Sequence, residues 1–220
     1  MRRIFLAALT APAWLAWAAA AQAAPAVDVH AGTLGGGLGV AFGVIPHRVD
    51  LRVGFNTFNY SRTFNSGTVD YDGKVRFENA GALVDLFPFD GTFRLSLGLY
   101  YNNNKFDLTG KPNASGTYSI NGTTYTVSQV GSLDGTVSFD NSSPYIGLGF
   151  GNPMRGGHVT FMFDVGAIYQ GSPHVTLTAT GALANPQLAS DLSVTQQTTQ
   201  TDMAKFRWWP VIQFGVGFRF

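Results

Sequence analysis

The 220-residue sequence predicts an all-β fold: a transmembrane antiparallel up-and-down β-barrel of about eight strands, with a short helix before the last one. Three observations predict it. The closing stretch "FRWWPVIQFGVGFRF" alternates strictly, with Phe206, Trp208, Pro210, Ile212, Phe214, Val216, Phe218 and Phe220 on one face and Arg207, Gln213, Gly215, Gly217 and Arg219 among those on the other. Charged residues make up only 12 % of the chain, where about 25 % is usual for a soluble domain. Past residue 23 no apolar run approaches the ~18 residues that a spanning helix needs, so apolar surface is spread over many short segments.

Taken in order, the chain begins with a processing signal: basic Arg2 and Arg3, apolar Ile4 to Ala20, then Ala21-Gln22-Ala23 as a small-x-small cleavage site. Cleavage after Ala23 leaves residues 24–220 as the outer-membrane barrel domain. Loss of the two arginines takes the formal charge from +1 to −1, and no basic surface asks for nucleic acid. The absence of cysteine rules out disulfides and thiolate chemistry.

The strands follow by parity. Leu34, Leu38, Val40 and Phe42 oppose Gly35, Gly37, Gly39 and Ala41. Val49, Leu51, Val53 and Phe55 oppose Asp50, Arg52, Gly54 and Asn56. Phe93 to Tyr101 in steps of two oppose Arg94, Ser96, Gly98, Tyr100 and Asn102. Ile146, Leu148 and Phe150 oppose three glycines, and Val159 to Tyr169 oppose Thr160, Met162, Asp164, Gly166, Ile168 and Gln170. Bulky apolar residues suit lipid, while small and charged ones suit a narrow interior. This is the pattern of barrels that cross membranes because closure satisfies every backbone hydrogen bond. Trp208, Tyr101, Tyr169 and Phe206 are expected in one aromatic girdle, and Phe87, Phe93, Phe218 and Phe220 in the other.

Connections sort into short turns (Gly43–Arg48, Pro88–Thr92, Gly151–Gly157) and long polar loops (Asn59–Asp72, Lys105–Ser132, Gly181–Lys205). Asn121-Gly122 between "TYSI" and "TTYTV" marks a hairpin inside one loop. Asn185 and Pro186 mark a helix start inside another. Six long strands precede the last, which leaves one crossing unassigned. Val27–Thr33, or Val175–Thr180 broken off at Pro173, supplies it, unless the terminal connections are atypical.

Several stretches resemble CarO-type outer-membrane porins: "LDGTVSFDNSSPYIGLGFGNP", "DVGAIYQGSPHVTLT", "KFRWWPVIQFGVGF", and also "GTLGGGLGV" and "NGTTYTV". The resemblance covers most of the chain after residue 23. It implies an eight-stranded barrel, a part in passage of small solutes including basic amino acids, no catalytic signature and no cofactor.

For function, the first reading is a small-solute channel or uptake porin with a narrow or plugged lumen. Inward Asp50, Arg52, Arg94, Asp164, Gln213 and Arg219 are its lumen-lining residues. Asp85 joins them if a bulge near Glu78–Asn79 shifts the register, because alternation from an outward Phe77 points Asp85 at lipid. Eight strands leave an interior just wide enough for side chains, so these charges also read as a plug, while the many inward glycines argue for free space. The alternative reading is a structural or surface-interaction barrel that presents its outer loops to partners. An enzyme is not expected: His174 lies near Ser172, but Asp164 is about 30 Å down the strand, and no metal-ligand spacing occurs. Expected partners are outer-membrane lipid and lipopolysaccharide, small solutes, and the barrel-assembly machinery. Outer-membrane proteins in general imply that Phe220 serves that machinery as insertion signal.

Overall fold

The computed structural model describes residues 24–66, 69–112, 115–155 and 157–220; the expected processing signal lies outside them. Eight antiparallel strands close on themselves: β1 (Ala26–Gly32), β2 (Gly35–Ile45), β3 (Val49–Ser66), β4 (Val69–Leu86), β5 (Phe93–Asn102), β10 (Ser142–Phe150), β11 (Val159–Tyr169) and β13 (Trp208–Arg219), the last pairing back with the first. The missing crossing is therefore Ala26–Gly32. It is short because its turn, Thr33-Leu34, comes part-way up the wall. Val175–Thr180 overlaps another strand that lies outside the closed ring.

The outer face carries exposed Leu38, Val53, Phe55, Leu97, Leu99, Ile146, Phe161 and Phe214, while the inner face buries Asp, Arg, Asn and Gln side chains. A water-soluble barrel would have the opposite polarity, so the wall is built for hydrocarbon. Tyr169 and Trp208 meet ring to ring at 5.0 Å in the girdle away from the termini. Near the termini, Phe89, Phe93 and Phe150 touch in sequence. Phe87 is a correction: it is 1 % exposed and turns inward, and Phe89 takes the outward place.

Two expected loops are strands. Asn59–Asp72 belongs to the long β3–β4 hairpin, which pairs without a bulge from Val49↔Leu86 upward. Lys105–Lys111 is β6, and Asn79↔Asn102 and Arg76↔Lys105 belong to one register, so β5 and β6 are a single rising strand interrupted at Asn103-Asn104. β9 (Leu133–Ser138) continues β10 in the same way. β12 (His174–Ala179) continues β11 with a one-residue slip around Gly171, where φ is 72°. The sheet β3-β4-β6-β9-β12 thus extends barrel strands beyond the membrane on one side.

On the other side the wall stops low. Above Thr33 the edges of β3 and β13 have no ladder partner among the described residues. Thr33 caps the β13 edge: its backbone N–H donates to the Ile212 carbonyl (3.0 Å) and its hydroxyl to the Pro210 carbonyl (2.8 Å), while the Ile212 N–H donates to that hydroxyl (3.1 Å). Pro210 has no N–H to leave unpaired on that edge.

The remaining elements form a small module at the far end. β7 (Thr117–Ile120) and β8 (Thr123–Thr126) make the expected hairpin, with Asn121 and Gly122 at φ 49° and 78°, as a primed two-residue turn requires. A helical turn, α1 (Val127–Val130), follows. α2 (Pro186–Met203) starts where expected, the Asn185 side chain accepting from the Leu188 N–H at 3.2 Å, but it is longer than a short helix. It covers the edge strand β12, and Gln196 accepts the Leu177 N–H at 3.2 Å, which blunts an open sheet edge. Tyr118, Ile120, Tyr125, Val130, Leu188 and Leu192 give the module its own core.

The candidate functional site inside the barrel

The inward parity of β3, β4, β5 and β11 brings four charged side chains together toward the terminal end. Asp164 is the hub: Arg94 Nη2 donates to both its oxygens (2.8 and 2.7 Å), and Arg52 reaches it through Nη1 (3.2 Å) and Nη2 (3.1 Å). Arg52 also grips Asp85 through Nε (2.9 Å) and Nη2 (3.2 Å), and Ser96 donates to Asp85 at 2.5 Å. Arg94 Nη1 donates to the Gly151 carbonyl, which closes the terminal side. Asp50 pairs opposite Asp85 in the ladder and is buried with them. Two guanidiniums paired with the carboxylates of Asp85 and Asp164 offset the cost of burying those charges.

Asp85 needs no bulge to get there. From Phe77 on, the odd residues of β4 face inward, Phe77, Asn79, Leu83 and Asp85 all being buried, and the next residue in step, Phe87, follows them just past the strand. The expectation of an outward Phe77 is overturned because its ring packs inside, 5.4 Å from Trp209 and 5.7 Å from Phe106. Leu34 is a second correction: it is fully buried and caps an apolar tier with Leu83, Tyr100, Tyr145, Ile168 and Val211. Above that tier, Asn79 donates to Asn104 (3.0 Å) and Gln170 to the Phe206 carbonyl (2.9 Å).

Beside the ion cluster, His30 Nδ1 lies 2.5 Å from Asp28 and its Nε2 2.9 Å from Asn56 Oδ1, which also accepts from Gln213 at 2.7 Å. Of the sequence-derived set, Asp50, Arg52, Asp85, Arg94, Asp164 and Gln213 are buried inside the barrel. Arg219 stands apart, donating to the Met154 carbonyl at 2.5 Å in the terminal turn. Phe220 is 86 % exposed at the chain end. Sequence reasoning missed the Asp28–His30 pair because β1 was too short to show parity. It placed Ser96, Tyr100 and Asn56 inward without giving them a role. His174 meets Asp140 at 3.1 Å at the start of β12, about 30 Å along the chain from Asp164 if extended.

The inward glycines are not free space. A Cβ at Gly149 would lie 2.6 Å from Arg94 Nε, one at Gly81 2.6 Å from the Tyr100 ring, and one at Gly166 2.6 Å from the Tyr145 hydroxyl. Each glycine is a seat for a neighbour's large side chain. Among the described residues, a void of about 20 Å³ lies between Asp28, His30, Arg52, Asn56, Tyr100 and Gln213. One water occupies a volume of roughly 10–15 Å³, so the void is on the scale of a water and not of a solute.

No family model and no curated protein matches the chain. Among solved structures, Acinetobacter baumannii CarO2 superposes with a TM-score of 0.60 at 22 % identity, over 90 % of this chain and 99 % of that one. The chain has the CarO fold. A second A. baumannii structure, CarO, agrees, with TM-score 0.58, 21 % identity, and 89 % and 97 % of the two chains covered. The resemblance read from the sequence stretches therefore holds at the level of the fold.

Proposed function

We propose that the protein is an outer-membrane barrel whose lumen is closed in this state and whose folded far-end module is its working surface. The observation that carries this is the 20 Å³ interior void: an ion cluster, an apolar tier and an amide tier leave no continuous path. Orientation follows from the termini, which share one end and belong in the periplasm, so β7, β8 and α2 face outward. Membrane lipid, lipopolysaccharide and, through the last strand and Phe220, the assembly machinery are its partners on this reading. Purified protein in planar bilayers is expected to be electrically silent, and deletion of 113–129 to remove surface binding while leaving the barrel folded. Discrete, reproducible conductance steps from the unaltered protein would overturn the reading.

A second reading, passage of a small solute such as a basic amino acid, has one observation in its favour. Asp28 Oδ2, Asp50 Oδ2 and Arg94 Nε are buried without a hydrogen-bond partner among the described residues. A permanent plug satisfies its polar atoms, whereas a column that rearranges leaves some free. Proteoliposome uptake of labelled ornithine that exceeds a leak control, and that Asp50→Asn abolishes, supports passage. Uptake equal to the control retires it.

A further inference from the structure

The free edges of β3 and β13 set a height. Unpaired backbone groups are not tolerated against hydrocarbon, so the hydrocarbon ends near the Thr33-Leu34 turn, level with Gly36↔Thr57↔Glu78. Just below that level, on the outer face of β2 to β5, lies an apolar groove of about 620 Å³ that includes Leu38, Val53, Phe55, Ala80, Leu99 and Tyr101. Just above it, on the same face of β3, β4 and β6, lies a polar groove of about 550 Å³ that includes Asn59, Ser61, Asp72, Lys74, Arg76 and Asp107. Phe55 and Asn59 are four residues apart on one strand, roughly 13 Å, and Ala80 and Arg76 are four apart on its partner. The two grooves are stacked along the same pair of strands.

Arg76 is tied to Asp107 at 3.0 Å and Asp72 to Lys111 at 2.7 Å. Lys74 makes no ion pair among the described residues. Two other apolar grooves sit on the lipid face, and neither is lined by a lysine or an arginine. Of these three apolar grooves, this one has cations directly above it, as an anionic head over an acyl chain requires.

We propose that the stacked grooves bind one phosphorylated lipid A molecule of the outer leaflet, a phosphate against Lys74 and Arg76 and an acyl chain along Phe55, Leu99 and Tyr101. The proposal rests on the outer-membrane placement above and names a lipid site within it. Arg76 releases part of its hold on Asp107 to the phosphate, and Asn59 and Ser61 donate to the same head.

The test is native mass spectrometry of the full barrel in detergent, titrated with bisphosphorylated lipid A. A one-to-one adduct is expected, weakened about tenfold by Lys74→Glu and equally by enzymatic removal of the lipid's phosphates. Lys205→Glu, a cation outside the groove, is expected to leave it unchanged. Lys74→Glu breaks no ion pair, and a heat-modifiable band confirms that the variant folds. Binding unchanged by Lys74→Glu, or phosphatidylglycerol competing as well as lipid A, overturns the site. A barrel that still demands detergent after such a result keeps its membrane placement, so the two claims fail separately.

Discussion

Replacing Gly149 by alanine tests whether inward glycines are seats or space. Alanine in place of glycine at an unstrained position stabilises by about 0.4–1 kcal/mol, through the unfolded chain. Gly36 supplies that baseline: it faces outward, and an added Cβ meets nothing within 4 Å. At Gly149 the Cβ would sit 2.6 Å from Arg94 Nε and 2.8 Å from Asp164 Oδ1. The backbone has no room to retreat, being laddered to β5 and β11 on its two sides. The guanidinium cannot swing away either, because it holds Asp164 and the Gly151 carbonyl and is fully buried. Overpacking costs about 1–3 kcal/mol, and parting a buried ion pair about 3–5 kcal/mol. Since Asp164 keeps Arg52 when Arg94 shifts, the net for Gly149→Ala is a loss of about 2–3 kcal/mol, against a gain of about 0.5 kcal/mol for Gly36→Ala. Urea unfolding in lipid vesicles, followed by tryptophan fluorescence and by the folded band on unheated gels, reads both. Two variants of equal stability would refute the packed interior and restore the glycines as open volume.

The far-end module gives a second prediction. Asp191 accepts from Tyr125 (2.5 Å), Asn121 (3.1 Å) and Gln187 (3.2 Å); these bonds hold its carboxyl below the usual range, and push the Tyr125 hydroxyl up. A depressed carboxyl contributes stability that is complete above about pH 4 and lost as pH falls through the folded value, so amide exchange at 117–126, measured against the intrinsic rate at each pH, should quicken in acid while the barrel stays protected. Tyr125→Phe should quicken it at neutral pH too; unchanged exchange in both cases removes Asp191 as the clasp. Third, Phe220→Ser is expected to lower the yield of heat-modifiable protein in the membrane without changing the stability of molecules that do fold, and normal assembly would contradict the insertion role.

Parity was legible wherever a strand has lipid on one side and a crowded interior on the other. In β5 and β13 the two faces separate clearly, because Arg94, Ser96 and Gln213 contrast sharply with Leu95, Leu97 and Phe214. Above the membrane the contrast disappears. Asn59–Asp72 is polar on both faces and so looked like a loop, although its backbone continues one ladder. Tertiary packing, not local pattern, made Phe77 and Leu34 inward residues: Phe77 packs on Trp209 and Phe106, and Leu34 fills the apolar tier below the amides. The ion cluster was legible as a set of residues and illegible as a network, since Asp85 was assigned through Phe77. The closed lumen could not be read at all, because a glycine in sequence says nothing about whose side chain fills the place of its own.

That a closed interior should be polar at all needs a reason, and β4 supplies one. Within the hydrocarbon its outward residues are Ala80, Ala82, Val84 and Leu86, and its inward ones include Gly81 and Leu83. Without Asn79 and Asp85 the two faces would be almost equally apolar, and a one-residue slip, which exchanges the faces of a whole strand, would cost little. With them, a slip turns Asp85 toward lipid and strips Arg52 of two hydrogen bonds, a loss of about 3–5 kcal/mol for a buried pair broken on one side. A hydrophobic filling of equal volume is often as stabilising as a buried ion cluster, but it would leave nothing to tell the inside of this strand from the outside. The arginines and aspartates thus serve register first, and on this view Asp85→Leu should yield folded barrels with mixed β3–β4 pairing, visible as doubled amide signals along both strands.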